Sequence, residues 1–216
     1  MTERQPSTLD LLFDESSSLT DYARRYAAYL SQLLHELDCD AIEEVARAFE
    51  RARLEQRTIF LIGNGGSAAT ASHFANDLGL GTRLIGNANY RALSLTDNVA
   101  YMSAAANDLG YDTVFVEQLR TLMSAGDVVL GISASGNSPN IVAAIEYAKA
   151  NGATTIGFTG FDGGRLRELA DICVHIGSRR GDYGPVEDLH LILDHLITSY
   201  LARRVRQGAT AEAGPL

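Results

Sequence analysis

The sequence has 216 residues, of which 46% are hydrophobic and 21% charged, and its formal net charge at pH 7 is −9. These values are typical of one globular domain with a substantial core. The negative charge argues against a broad nucleic-acid-binding surface, because such surfaces are basic. No apolar run approaches the ~20 residues of a membrane span, and residues 1–14 lack the pattern of a signal peptide, so we expect a cytoplasmic protein with no membrane partner.

The two cysteines, Cys39 and Cys173, lie far apart in the sequence and belong to no metal-binding motif. Their contexts predict a helix end for Cys39 and a strand for Cys173. We expect both to be buried free thiols, because two distant cysteines do not make a disulfide framework.

Two helices are predicted before the first strand. Residues 16–37 and 40–54 carry apolar side chains at helical spacing. An apolar stripe on the first helix consists of Tyr26, Tyr29, Leu30, Leu33 and Leu34. The stripe fits either the domain's own core or an interface with a second copy, and the pattern does not distinguish the two.

The segment 58–77 predicts a strand, a glycine turn and a helix. Its charge-free run 59–62 is typical of a strand covered on both faces, and three glycines follow within four positions. Ser67 is a favourable N-cap, and the N-terminal N–H groups and dipole of the helix favour an anion such as phosphate. Further along this helix, His73 and Asp77 are four residues apart and share a face.

Four further strands are predicted, and helices alternate with them. They cover residues 90–95, 127–133, 154–159 and 171–176, and a final helix runs from about 182 to 204. This alternation indicates a three-layer α/β/α sandwich with a five-stranded parallel sheet and an N-terminal helical extension. Glycines at 160, 163 and 164 are predicted to end the fourth strand. Residues 207–216 are rich in alanine, glycine and threonine, which predicts a disordered tail.

A second loop, residues 133–138, is rich in serine and follows the third strand. It opens a helix with Ser138 as the N-cap and Pro139 at the first helical position. Ligands of parallel α/β sheets bind at the carboxyl ends of the strands. Because the glycine loop and the serine loop both fall there, we expect one ligand site between them.

The glycine loop also matches the looser dinucleotide-binding pattern G-x-G-x-x-A between Gly63 and Ala68, and Asp97 ends the second strand. We reject this interpretation because Asp97 lies further from the loop than the usual ~20 residues. It would also leave the serine loop without a function. We therefore expect no nucleotide cofactor.

Four segments of the chain carry a family resemblance. They are residues 63–67 with 73–75, 106–110, 126–138 and 159–164. Together they resemble the sugar isomerase (SIS) domain, and most closely its phosphoheptose isomerase branch, whose members convert sedoheptulose 7-phosphate to D-glycero-D-manno-heptose 7-phosphate. The resemblance covers about residues 22–201. It implies a single SIS domain with a core at about 40–204, an aldose–ketose isomerase acting through an ene-diol(ate), and a homotetramer with active sites between subunits.

The resemblance also implies a set of site residues. The substrate contacts fall on Asn64, Gly65, Gly66, Ser67, Asn107, Asp108, Ser133, Ala134, Ser135, Ser138 and Glu187. The metal ligands fall on His73, Asp77, Glu187 and His195, and this donor set suits one zinc or similar divalent ion per site. Asp77 is then the candidate base and His195 the candidate acid, while His35 and His175 receive no role.

The chain departs from the family pattern at several of these positions. The family usually has glutamate at 77, glutamine at 187 and often threonine at 134, and Arg83 is the nearest substitute for a family arginine. Glu187 and His195 are eight residues apart, about 12 Å along a helix. Both can therefore bind one ion only if Glu187 precedes the regular helix or a second subunit contributes. His190, three residues after Glu187, is the alternative ligand.

Two other functions stay in consideration. One is isomerisation of a different ketose phosphate. The other is a non-catalytic SIS protein that senses a phosphosugar or, like some relatives, binds the bacterial replication initiator. Those relatives lack histidine at the position of His195, so the presence of His195 together with His73 favours an enzyme.

Overall fold

The computed structural model describes residues 5–84 and 88–212, without the side chains of residues 209–212. Five strands form one sheet: β1 (Thr58–Gly63), β2 (Arg91–Ser94), β3 (Val128–Ser133), β4 (Thr154–Phe161) and β5 (Ile172–Gly177). They are all parallel and lie in the order β2–β1–β3–β4–β5. The predicted five-stranded parallel sheet is confirmed.

Helices cover both faces of this sheet. They are α1 (Thr8–Asp14), α2 (Leu19–His35), α3 (Cys39–Leu54), α4 (Gly66–Asn76), α5 (Val99–Leu109), α6 (Val116–Leu122), α7 (Pro139–Ala150), α8 (Gly164–Leu169) and α9 (Tyr183–Glu212). A π-helical turn, Asp77–Gly81, continues α4, and a 3-10 turn, Tyr111–Thr113, follows α5. The short helices α1 and α8 were not predicted.

The side chains of β1 show how the two faces are filled. Ile59 and Leu61 belong to a buried cluster with residues of α3, α4 and α9, whereas Phe60 and Ile62 belong to a second cluster with residues of α6 and α7. Successive residues of a strand point to opposite faces, so a strand buried on both sides has an uninterrupted apolar sequence. This is why the run 59–62 contains no polar residue.

The apolar stripe of α2 packs against the domain's own core. Leu33 is buried, and Tyr29 lies against the same cluster that contains β1 and α9. The Tyr29 hydroxyl also donates a hydrogen bond to Asp182 Oδ2 at 2.9 Å, and the backbone N–H of Leu9 in α1 donates to Asp182 Oδ1 at 3.2 Å. The buried Asp182 carboxylate therefore holds both N-terminal helices at the start of α9.

Three local expectations were wrong. Gly65 is the N-cap of α4, with a positive φ of 53° that serine disfavours, and Ser67 is already the second helical residue. Gly160 does not break β4 but lies within it, where a Cβ would come 2.6 Å from Val186 Cγ1 of α9. Cys39 is exposed rather than buried, since it is the first residue of α3, and Cys173 in β5 is only partly buried.

The C-terminal end also differs from the expectation. Helix α9 continues to Glu212, so residues 207–212 are helical rather than disordered, and residues 213–216 lie outside the described part of the chain. Over residues 5–84 and 88–212, none of the helices combines the length and apolar content needed to cross a membrane.

Candidate active site

The glycine loop and the serine loop meet at the centre of the sheet. From β1 the chain continues to β2 on one side, and β3 with its successors lies on the other side, so the strand order reverses between β1 and β3. Such a switch point leaves a crevice at the carboxyl ends of the two strands. Asn64 spans it, because its side chain and that of Asn140 in α7 exchange two hydrogen bonds of 2.9 Å.

The serine loop has a compact hydroxyl-lined geometry. Ser133 Oγ and Ser138 Oγ lie 3.3 Å apart, and the Gly136 N–H donates to Ser133 Oγ at 3.2 Å. Gly136 has φ of 62°, and a Cβ there would come 1.9 Å from the Gly163 carbonyl oxygen, so only glycine fits. Within the described chain, the Ser138 hydroxyl makes no capping bond to α7, although Ser138 is its N-cap and Pro139 follows as predicted. That hydroxyl therefore stays available to a ligand.

A pocket of about 160 Å³ opens above these loops. It is lined by Asn64, Ser67, Ile132, Ser133, Ala134, Ser135, Ser138, Tyr183 and Glu187. Seven of these are predicted substrate contacts, so the structure brings the larger part of the predicted set together. Tyr183 was not predicted, because nothing in the sequence marks a helix-starting tyrosine as a pocket residue. Its ring packs edge-on against Phe161, with the centroids 4.9 Å apart.

Glu187 lies against the glycine loop. A Cβ on Gly66 would come 2.3 Å from Glu187 Oε2, so the carboxylate occupies the space that a side chain at this position would need. Burial, together with the charge of Asp188, raises the pKa of Glu187 above its usual value. Gly65 supplies the N-cap turn beside it.

A second group of polar side chains, here called the histidine cluster, joins α4 and α9. It consists of His73, Asp77, Asp194 and His195, and one ligand atom from each lies within 4.8 Å of the others. His73 Nε2 is 3.2 Å from His195 Nε2 and 3.6 Å from Asp77 Oδ2. Asp77 is the first residue of the π-helical turn, and such turns occur often at functional sites.

Asp194 is the member of the histidine cluster that sequence reasoning missed. Its side chain is fully buried, and neither carboxylate oxygen has a hydrogen-bond partner among residues 5–84 and 88–212. Burial, and then the charge of Asp77, raise the pKa of Asp194 to about 7. A buried carboxylate without a partner is costly, so this site fits a bound cation. Imidazole and carboxylate donors suit zinc.

The histidine cluster does not include Glu187. Since α9 begins at Tyr183, Glu187 already belongs to the regular helix, eight residues and about 12 Å from His195. The alternative ligand His190 is buried in the core, where it stacks on Phe158. Burial lowers the pKa of His190 to about 4.

Four predicted substrate contacts do not line the pocket: Gly65 and Gly66 lie beside it in the glycine loop, and Asn107 and Asp108 lie away from it. Asn107 and Asp108 are exposed on α5, where the Asn107 amide donates to Asp108 Oδ1 at 2.7 Å. Asp108 lines a separate cleft of about 230 Å³. The nearby Tyr111 does reach the crevice, because its hydroxyl donates to Asn64 Oδ1 at 2.9 Å.

The remaining histidines have ordinary environments. His35 is exposed at the end of α2. His175 Nδ1 lies 3.0 Å from Thr159 Oγ1 in the sheet, and burial lowers the pKa of His175. Neither belongs to the histidine cluster.

Comparisons with known proteins agree with this architecture. Residues 21–160 match the SIS domain family. Phosphoheptose isomerase of Burkholderia pseudomallei (strain 1710b) is 36% identical over 182 residues, which are 84% of this chain and 89% of that protein. Phosphoheptose isomerase of Aliarcobacter butzleri (strain RM4018) is 42% identical over 139 residues, which are 64% of this chain and 72% of that protein.

A solved structure gives the same result. Phosphoheptose isomerase of Neisseria gonorrhoeae superposes with a TM-score of 0.77 at 29% identity, and the match covers 85% of this chain and 98% of that one. The fold, the two loops and the histidine cluster therefore have a common explanation: the chain belongs to the SIS domain family and, within it, to the phosphoheptose isomerases.

Proposed function

We propose that this chain interconverts sedoheptulose 7-phosphate and D-glycero-D-manno-heptose 7-phosphate. One observation carries the proposal: α4 and α9 contribute residues both to the serine-lined pocket and, further along each helix, to the histidine cluster. His73 follows Gly66 by seven residues, which is about 10 Å along α4. A sugar phosphate with its anion at one end and its carbonyl at the other can contact both.

The serine loop holds the phosphate. Ser133, Ser135 and Ser138 offer hydroxyl donors, and the N-terminal end of α7 supports the negative charge with its dipole. The carbon chain then extends towards the histidine cluster. Asp77 and His195 line an open cleft of about 290 Å³ there, with Thr198 and Ser199 of α9.

Isomerisation moves a carbonyl group between C1 and C2. Asp77 removes the carbon-bound proton, and His195, when its ring is not bound to an ion, donates a proton to the neighbouring oxygen. A divalent ion such as zinc, held by His73 and His195 with a carboxylate, would stabilise the negative charge that develops on the ene-diolate. Glu187 lies at the phosphate end, next to Gly66, and its carboxylate can accept hydrogen bonds from sugar hydroxyls.

The proposal includes a homotetramer in the cytoplasm. Several large apolar side chains are exposed, among them Leu80, Val99, Leu109, Leu196 and Tyr200. Association of copies would bury them. Asn107 and Asp108, which lie outside the pocket of their own chain, would then contact substrate in a neighbouring copy. The unpaired Cys39 and Cys173 fit a reducing compartment.

An NMR assay of the purified protein tests the reaction. Sedoheptulose 7-phosphate and shorter ketose phosphates are incubated with the protein, with and without zinc. We expect conversion of the heptulose, with exchange of one carbon-bound proton in deuterated water. Absence of turnover on every ketose phosphate would contradict the enzyme, and conversion of only a shorter sugar would correct its substrate.

A further inference from the structure

The side chains of Asn64 and Asn140 form a cyclic amide pair across the crevice. Asn64 Nδ2 donates to Asn140 Oδ1 and Asn140 Nδ2 donates to Asn64 Oδ1, each at 2.9 Å. The hydroxyl of Tyr111, in the 3-10 turn after α5, lies 2.9 Å from the same Asn64 Oδ1. Asn140 is buried in the first turn of α7, whereas Tyr111 is exposed. The amide of Asn64 is therefore held from the interior by one residue and from the solvent side by another.

A backbone donor determines the orientation of both amides. The Ile141 N–H lies 3.0 Å from Asn140 Oδ1 and also donates to the Ser138 carbonyl oxygen at 3.0 Å. A backbone N–H can only donate, so the Asn140 atom that faces it must be the oxygen. The Asn140 nitrogen then donates to Asn64, and its acceptor must be the amide oxygen. Because the Tyr111 hydroxyl contacts this oxygen too, Tyr111 is a donor as well.

This orientation leaves Asn64 a single hydrogen-bonding group for a ligand. An amide oxygen has two lone pairs and an amide nitrogen has two hydrogens. Asn140 and Tyr111 occupy both lone pairs of Oδ1, and Asn140 accepts one hydrogen of Nδ2. The second hydrogen has no acceptor among residues 5–84 and 88–212, and Asn64 lines the serine-lined pocket. Asn64 therefore offers this pocket a donor and no acceptor.

We propose that Asn140 and Tyr111 are positioning residues, which hold the amide of Asn64 so that its N–H donates to an anionic oxygen of the ligand. An amide turned by 180° would present its oxygen instead and repel such a ligand. The three residues follow β1, open α7 and follow α5, respectively, so their contacts also tie together the elements that surround the crevice. That the anionic oxygen belongs to a sugar phosphate rests on the proposed function; the orientation of the amide does not.

A double-mutant cycle on the full-length protein tests whether Tyr111 acts through Asn64. Calorimetry measures the affinity for sedoheptulose 7-phosphate and, as a second probe, for inorganic phosphate. We compare Tyr111→Phe, Asn140→Leu and Asn64→Ala with the double variant Asn64→Ala, Tyr111→Phe. Tyr147→Phe is the matched control, because it removes a tyrosine hydroxyl seven residues after Asn140, about 10 Å along α7. Thermal unfolding shows whether each variant is folded.

We expect Asn64→Ala and Asn140→Leu to bind both probes about 10-fold or more weakly, because the hydrogen bond to the charged oxygen is lost or misdirected. Tyr111→Phe should weaken binding about 3-fold in the wild type but not in Asn64→Ala, because its effect requires the amide. During turnover, the KM of Tyr111→Phe should rise by the same factor while kcat is unchanged. A contact to the phosphate is made equally in the ground state and the transition state.

The assignment is overturned if Tyr111→Phe binds like Tyr147→Phe, if it loses the same factor in both backgrounds, or if the wild type binds neither probe. The exposed position of Tyr111 keeps the test decisive even where Asn140→Leu fails to fold. A wild type that binds both probes but converts no sugar would contradict the proposed reaction, and the cycle would still decide this assignment.

Discussion

The carboxylate of Glu187 lies directly against the backbone of Gly66. A Cβ at position 66 would come within 2.3 Å of Oε2 and 2.8 Å of Oε1, so a side chain there would displace the carboxylate. Gly66 is the first residue of α4, and Glu187 is in the second turn of α9. The contact therefore joins the two helices that build both halves of the site.

Gly66→Ala should therefore impair the enzyme without unfolding it. The added methyl group displaces the Glu187 carboxylate from the pocket, and misplacement of a site group by about 1 Å can lower the rate by about 10²-fold. We expect kcat/KM to fall by this order in a steady-state assay. Gly79→Ala is the control, since a Cβ at Gly79 would have no atom within 4 Å. Equal kinetics for both variants would show that the contact is not used.

Removal of two serine hydroxyls should weaken phosphate recognition. Ser135 and Ser138 line the pocket, and a hydrogen bond to a charged group contributes roughly 1.5–3 kcal/mol. The affinity of the double variant Ser135→Ala, Ser138→Ala for a sugar phosphate, measured by calorimetry, should be about 10² to 10⁴ times lower than that of the wild type. Ser103→Ala, at an exposed position on α5, should bind like the wild type. Unchanged affinity in the double variant would place the phosphate elsewhere.

The sequence predicted the sheet and the serine-lined pocket more completely than the histidine cluster, for a physical reason. Strand β1 and the two loops can be predicted from local sequence. An apolar run, a glycine turn and a helix that starts at proline are each recognisable from a few consecutive residues. Asp194 gives no such signal. Its position next to His195 says nothing about burial, which depends on how α4 packs against α9. Glu187 was predicted as a ligand but lies outside the histidine cluster for a similar reason, because the start of α9 decides its distance from His195.

Burial of His190 should make the stability of the protein depend on pH. Its folded-state pKa of about 4 lies below the usual histidine value of 6.5, so between these two pH values the unfolded chain binds more protons. Its stabilising contribution is complete above pH 6.5 and is lost as pH falls towards 4. Between pH 7 and pH 5 the loss is about 2 kcal/mol.

The variant His190→Leu isolates this contribution. Its free energy of unfolding, measured by urea denaturation in chelator, should change less between pH 7 and pH 5 than that of the wild type, by about 2 kcal/mol. Asp194 acts in the opposite direction, because its folded-state pKa is raised to about 7 and its carboxylate destabilises the fold as pH rises. This effect is present in both proteins and cancels in the comparison. Identical pH dependence would mean that His190 is not buried in its neutral form.

His195→Ala should lose both bound metal and isomerase activity, because His195 belongs to the histidine cluster and lines the cleft in which the carbonyl end of the sugar is proposed to bind. His35→Ala should lose neither, because His35 is exposed on α2 and lies outside that cluster. Elemental analysis of both purified variants gives the metal content, and the NMR assay gives the activity.

The same experiment gains a second readout when the pH is varied. Histidine must be deprotonated to bind a metal ion, so the Zn²⁺ affinity of the wild type should fall steeply as the pH drops through the range in which histidines titrate. In His195→Ala one such ligand is missing, and its residual affinity should depend less steeply on pH. Wild-type protein that remains fully active after thorough chelation, with no metal detected, would show instead that His73, Asp77 and His195 act through proton transfer and hydrogen bonds alone.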